Sequence, residues 1–148
     1  MSLEDSIKEL VIKDISSRRT YDLHFYARTN KRVIEFLYNS GIIKNEDLDE
    51  ALKESVAKTA RFDFGLIINK GYWPNHVVSP ECLSYAIQHA ILSYDDVRRI
   101  KFDHGQNAST FCIHYNAERL IPKLREKLLN PPMSYATKSD LDEHPCCC

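Results

Sequence analysis

An array of stacked helix pairs, mostly α in content, is the fold class this sequence predicts, and three observations predict it. Tyr21–Gly41, Leu52–Gly71 and Leu83–Gly105 share one build: a short helical run, a polar break, a second apolar run and a closing glycine. The closing glycines fall 30 and then 34 residues apart, a period typical of helical repeats. An alanine precedes the glycine by 14 residues in the first two segments (Ala27, Ala57) and by 15 in the third (Ala90). Independent strands have no reason to reproduce that distance.

The elements follow in order. Ser2 and Asp5 bracket the start of a helix in the manner of a capping box, with Asp in place of Glu. Ile7, Leu10, Val11 and Ile15 then recur at helical spacing, joined by Leu3, so residues 2–15 read as an opening helix able to cover one end of an array. Leu23, Tyr26 and Ala27 mark a short helix that stops near Thr29-Asn30. Val33, Ile34 and Leu37 carry the next, and Gly41 fits the left-handed position just past its end.

Asn45 is placed to cap a helix whose first turn holds Glu46, Asp47 and Asp49, favourable at the positive end of the helix dipole. Leu48, Leu52, Val56 and Ala60 follow, a break falls near Ala60-Arg61, and Phe62, Leu66 and Ile67 supply the next apolar face up to Gly71. Ser79-Pro80-Glu81 is a strong helix start, with a cap, a proline at the first helical position and an acid. Leu83, Ala86, Ile87 and Ala90 form its stripe; Tyr94 or Asp95 restarts the chain, Val97 and Ile100 continue, and Gly105 closes. A fourth unit is degenerate: Phe111, Ile113 and Tyr115 precede Leu120, Leu124 and Leu128, and Pro122 fits only if its helix begins just before it.

The resulting organisation is an N-terminal capping helix over residues 1–19, a repeat array over 20–130 and a polar tail over 131–148. A single α+β domain is the alternative, because LVIKDI, YDLHFYA, RFDFGLIIN and TFCIHYN have β-branched or aromatic character.

Composition narrows the function classes. A net charge of −1 over 148 residues offers no whole-chain field toward nucleic acid or an anionic membrane. No apolar stretch approaches bilayer length, and the charged N-terminus lacks a signal-peptide core, so a cytoplasmic location is expected. Five cysteines, an odd number, argue against a disulfide framework. Cys82 and Cys112 sit in apolar runs as small buried hydrophobes, while Cys146, Cys147 and Cys148 end the chain.

The units resemble the ankyrin repeat. Leu23-His24 followed by Ala27 is similar to the first-helix signature, and Val33-Ile34-Glu35-Phe36-Leu37 leading to Gly41 is similar to the second. Phe64…Leu66-Ile67-Ile68…Gly71 and Val97…Ile100…Phe102…His104-Gly105 are similar again. The Thr-Pro-Leu-His start is nowhere intact, and Asn30, Ala60 or Arg61, and Ser93 stand where the inter-helix glycine belongs. The resemblance covers roughly residues 20–130. It implies a stack whose units cannot bury their faces alone, with residues 2–15 and the Pro122–Asn130 helix as end caps, and it assigns His24 to satisfying loop backbone groups.

No cofactor, metal or catalytic residue is expected. Glycines are too few for a phosphate loop, no zinc or calcium motif occurs, and His24, His89, His104 and His114 have no neighbour at a familiar catalytic spacing. The adjacent cysteines after His144 are poorly arranged to wrap one tetrahedral ion. Recognition of another protein is the expected role. Tyr72, Trp73 and His76 lie where the resemblance puts a projecting finger loop, and tyrosine and tryptophan dominate interface energetics; Trp73 as a plug between units is the opposing possibility. Tyr26, Arg28, Tyr85 and His89 are the candidates for the concave helical face. A small α+β enzyme, or an immunity-type inhibitor of one, is the alternative function.

Overall fold

The computed structural model describes residues 2–70, 79–100, 102 and 107–131, and among them the chain is helical, with no strand. All four stretches weighed as strands lie wholly or mainly in helix: LVIKDI and RFDFGLIIN form no ladder, and TFCIHYN holds most of Ala108–His114. The α+β alternative is therefore overturned for the described residues. They fall into two compact units, one drawn from Met1–Lys58 and Ile121–Tyr135, the other from Thr59–Leu120.

The first unit opens with α1 (Leu3–Ser17), whose start is the reciprocal capping box expected from the sequence. The Asp5 amide donates to Ser2 Oγ at 3.1 Å and the Ser2 amide to Asp5 Oδ2 at 3.5 Å. Val11 and Ile15 are its buried side chains. A short 3₁₀ turn, Thr20–Asp22, leads into α2 (Leu23–Thr29), which buries Leu23, Tyr26 and Ala27. At Asn30 the side-chain amide donates to the Tyr26 carbonyl and to Thr29 Oγ1, both at 3.0 Å. Asn30 has φ −114°, so the inter-helix position needs no glycine.

Helix α3 (Lys31–Asn39) buries Ile34 and Leu37. Gly41 follows at φ +75°, with its amide on the Tyr38 carbonyl at 3.1 Å and the Ile42 amide on the Leu37 carbonyl at 2.9 Å. These are the two hydrogen bonds of a Schellman motif, which satisfies carbonyls that a helix end leaves over. The turn delivers Ile43 to the core and starts α4 (Asn45–Lys70). There the expected Asn45 cap is corrected: Asn45 is already helical, and its Oδ1 accepts from the Tyr38 hydroxyl at 2.9 Å. The end is tied instead by Asp47, whose carboxylate accepts from the Lys44 amide at 2.9 Å. That amide chiefly, with Lys8 at 3.2 Å adding, holds the Asp47 carboxyl below its ordinary range.

The break expected near Ala60-Arg61 is absent, and α4 runs on for 26 residues. Its buried positions explain why. Leu48, Ala51, Leu52, Ser55, Val56, Thr59, Ala60 and Asp63 recur at intervals of three, one and three, the stripe of one helix face. Ser55, Thr59 and Asp63 complete that stripe with polar side chains, so hydrophobicity alone shows it interrupted. Phe62, expected on an apolar face, is 60% exposed. The first part of α4 belongs to the first unit and the part from Thr59 to the second.

The first unit is completed from the far end of the chain by α8 (Leu120–Leu129), which buries Ile121 and Leu128. Pro122 falls in its first turn, where its missing amide costs nothing. Arg125 Nη1 donates to both Asp49 oxygens, at 2.8 and 2.6 Å. Lys8 of α1 and Arg125 of α8 thus meet α4 at Asp47 and Asp49, so the two helices expected to cap opposite ends of an array belong to the same unit.

The second unit contains α5 (Pro80–Gln88), α6 (Tyr94–Arg98) and α7 (Ala108–His114), with a 3₁₀ turn at Ala117–Arg119. Ser79 Oγ accepts from the Cys82 amide at 3.2 Å and Pro80 takes the first helical position, as expected. Ala90, expected within the apolar stripe, lies beyond the helix at φ +54°. Its amide reaches the Ile87 carbonyl at 3.2 Å and the Ile91 amide the Ala86 carbonyl at 2.8 Å. This is the Gly41 motif again, 49 residues later. It is followed in both places by a buried aliphatic (Ile43, Leu92) and an aspartate that accepts from the amide three residues before it (Asp47, Asp96). The structural equivalence therefore pairs Gly41 with Ala90; Gly71 and Gly105, the other two closing glycines, lie outside the described residues. The three alanines of the spacing argument occupy unlike places: Ala27 is buried, Ala57 lies within continuous α4, and Ala90 is an exposed turn residue.

Candidate interaction surface

Tyr26 and Tyr85, expected on an accessible helical face, are both only 4% exposed and are corrected to core residues. Helix α2 turns Tyr26 inward beside Leu23 and Ala27, where its hydroxyl donates to Asp14 Oδ2 at 3.3 Å and Arg18 lies 4.7 Å above its ring. Burial first, and the Asp14 charge second, push the phenol up to about 12. The Arg18 carbonyl accepts from Ser55 Oγ, so α1, α2 and α4 converge on this corner of the first unit. Arg28 is half-buried on the same helix.

In the second unit, Tyr85 stacks on the His89 ring with centroids 4.1 Å apart, and His89 Nε2 lies 3.3 Å from Glu118 Oε1. His89 keeps 39% of its side chain exposed and stays accessible. His24 is half-buried, and His114 is exposed and set edge-on to Tyr115 at 4.9 Å. Cys82 is buried as expected, whereas Cys112 is only partly covered, and burial pushes its thiol up. Tyr72, Trp73 and His76, like Cys146, Cys147 and Cys148, lie outside the described residues. Among the described residues no three His, Cys, Asp or Glu side chains gather as a metal site. None of their helices is long and apolar enough to cross a membrane.

The first unit carries a surface that the sequence reading did not single out. On α3, Ile34 and Leu37 face the core, which turns Arg32, Val33 and Phe36 outward. Val33 is 41% and Phe36 57% exposed. On α2, Phe25 lies opposite the buried Leu23, Tyr26 and Ala27 and is 55% exposed. Tyr21, in the turn before it, is 43% exposed under Arg19, whose guanidinium sits 4.5 Å from the ring. In RVIEFL, helical geometry puts Phe36 off the Ile34–Leu37 stripe and Val33 at its border, one turn from Leu37. Grouping Val33 with Ile34 and Leu37, with Phe36 only beside them, concealed this surface.

These two helices present apolar side chains with cations near them, Arg19 over Tyr21 and the exposed Arg32 one turn from Phe36. In comparisons with known proteins, the chain matches no family model, no curated protein and no solved structure.

Proposed function

We propose that this protein is a non-catalytic interaction module that binds another protein through an outward helical face of its first unit. One observation carries the reading: Phe25, Val33 and Phe36 are each 41–57% exposed on two consecutive short helices whose other faces are filled. Large side chains at such exposure on neighbouring elements mark recognition surfaces, and aromatic anchors supply most of the energy of an interface. The ankyrin-like reading is supported most by the Leu23–Gly41 pair, with Leu23 and Ala27 buried, Ile34 and Leu37 buried, and a left-handed Gly41. On that reading Tyr72, Trp73 and His76 form a second contact region, and Arg28 and His89 contribute polar contacts.

Capture of a partner by the tagged full chain tests the proposal. Phe36→Ser should remove a stoichiometric partner while leaving the far-UV CD spectrum and melting temperature unchanged, because the side chain is not in the core. Retention of the partner by Phe36→Ser, by Val33→Ser and by Tyr72→Ala/Trp73→Ala alike would defeat it.

A further inference from the structure

The charges around this face are unevenly placed. Between Arg18 and Phe36 stand five basic side chains (Arg18, Arg19, Arg28, Lys31, Arg32) against two acids (Asp22, Glu35), a local charge of +3 in a chain whose total is −1. Arg19 is held over the exposed Tyr21 ring with Asp22 3.9 Å away, whereas Arg18 sits over Tyr26, the ring that α2 turns inward. Lys31 and Arg32 are exposed, and among the described residues neither makes an ion pair. Around the outward side of α3 the order is Val33, Phe36, Arg32, Glu35, Lys31: Arg32 is one turn from Phe36, and the exposed Glu35 lies between the two cations.

We infer that the occupant of this face is an acidic amphipathic helix of the partner protein, apolar on the side that meets Val33 and Phe36 and carboxylate-bearing on the side that meets Arg32. The inference rests on the reading of the protein as an interaction module and names its partner's chemistry. Two observations favour a peptide over the other anionic surfaces. Nucleic acid draws its affinity from many phosphate contacts, and here the exposed Arg32 stands beside aliphatic and aromatic area that phosphates do not use. An interfacial membrane helix presents a long apolar face, whereas α2 and α3 have 7 and 9 residues and each buries one side in its own unit. A helix laid across α3 uses both kinds of group, the apolar contacts for affinity and the cations for orientation and approach.

The test uses the ¹⁵N-labelled full chain and two synthetic helical peptides of about 18 residues, identical in their leucine stripe and carrying Glu in one and Lys in the other on the remaining face. The Glu peptide should shift the amides of residues 25–36, and its affinity should fall with added salt. Arg32→Glu and Phe36→Ser should each weaken it about tenfold or more, and the Lys peptide should bind at least tenfold more weakly. Equal binding of the two peptides would overturn the inference. So would shifts confined to other residues, or binding only to phosphatidylserine vesicles or to single-stranded oligonucleotide. If the Glu peptide fails while Phe36→Ser still removes the captured partner, the module reading stands and the acidic-helix assignment alone is lost.

Discussion

Ala90 holds a left-handed backbone at φ +54° where the equivalent residue of the first unit is Gly41 at +75°. A side chain with a Cβ is strained there by about 1–2 kcal/mol, offset in part by the greater freedom glycine brings to the unfolded chain. Ala90→Gly should therefore raise stability by about 0.5–1 kcal/mol in urea unfolding, and Gly41→Ala should lower it by about 1 kcal/mol. A Cβ at Gly41 meets nothing within 4 Å, so its cost is one of backbone conformation alone. Tyr26 makes a second prediction at this scale. Its phenol is raised from 10.0 to about 12, so between those values the unfolded chain loses a proton that the folded chain keeps. Stability should then be full below about pH 10 and fall as pH rises toward 12. In an ultraviolet titration the Tyr26 phenol should ionise late, and Tyr26→Phe should remove that contribution and cost about 1 kcal/mol.

Among the elements, α4 decides most. Proline in the interior of a continuous helix costs about 3 kcal/mol or more, whereas proline at a break between two helices costs little. Arg61→Pro should accordingly lose at least that amount, while Arg61→Ala, which removes only the 3.2 Å hydrogen bond to the Ile91 carbonyl, should lose no more than about 1 kcal/mol. This helix also shows what was legible in the sequence and what was not. Caps are local chemistry, so Ser2 with Asp5, Ser79 with Pro80, and Gly41 could be read from a few adjacent residues. The buried face of α4 could not, because Ser55, Thr59 and Asp63 sit on it and a polarity pattern places them outside. Ala90 escapes a sequence reading for a related reason: alanine ordinarily signals helix interior, and here it takes the left-handed place past the helix end that glycine usually marks. Tyr26 and Tyr85 are amphipathic, and a hydroxyl that reaches Asp14, or a ring that stacks on His89, lets such a residue lie inside.

For the molecule as a whole, the helical class was legible from periodicity, but the way the elements gather was not. Arg125 reaches Asp49 across 76 residues of sequence, a contact that no local spacing announces. That contact brings α8 into the same unit as α1, where a linear array would have it cap the far end. The exposed side of α3 was hidden for the opposite reason, since Val33 reads with Ile34 and Leu37 as one apolar stripe although it lies at that stripe's exposed border. On the proposed function, a partner protein docks on the outward face of α2 and α3. Hydrogen–deuterium exchange on the captured complex against the chain alone tests it most directly, because it reports on backbone order without a substitution. New protection is expected over residues 23–39, with slower exchange at the helix ends around Asn30 and Ser40. Protection confined to residues outside that span, with 23–39 exchanging as in the isolated chain, would contradict it.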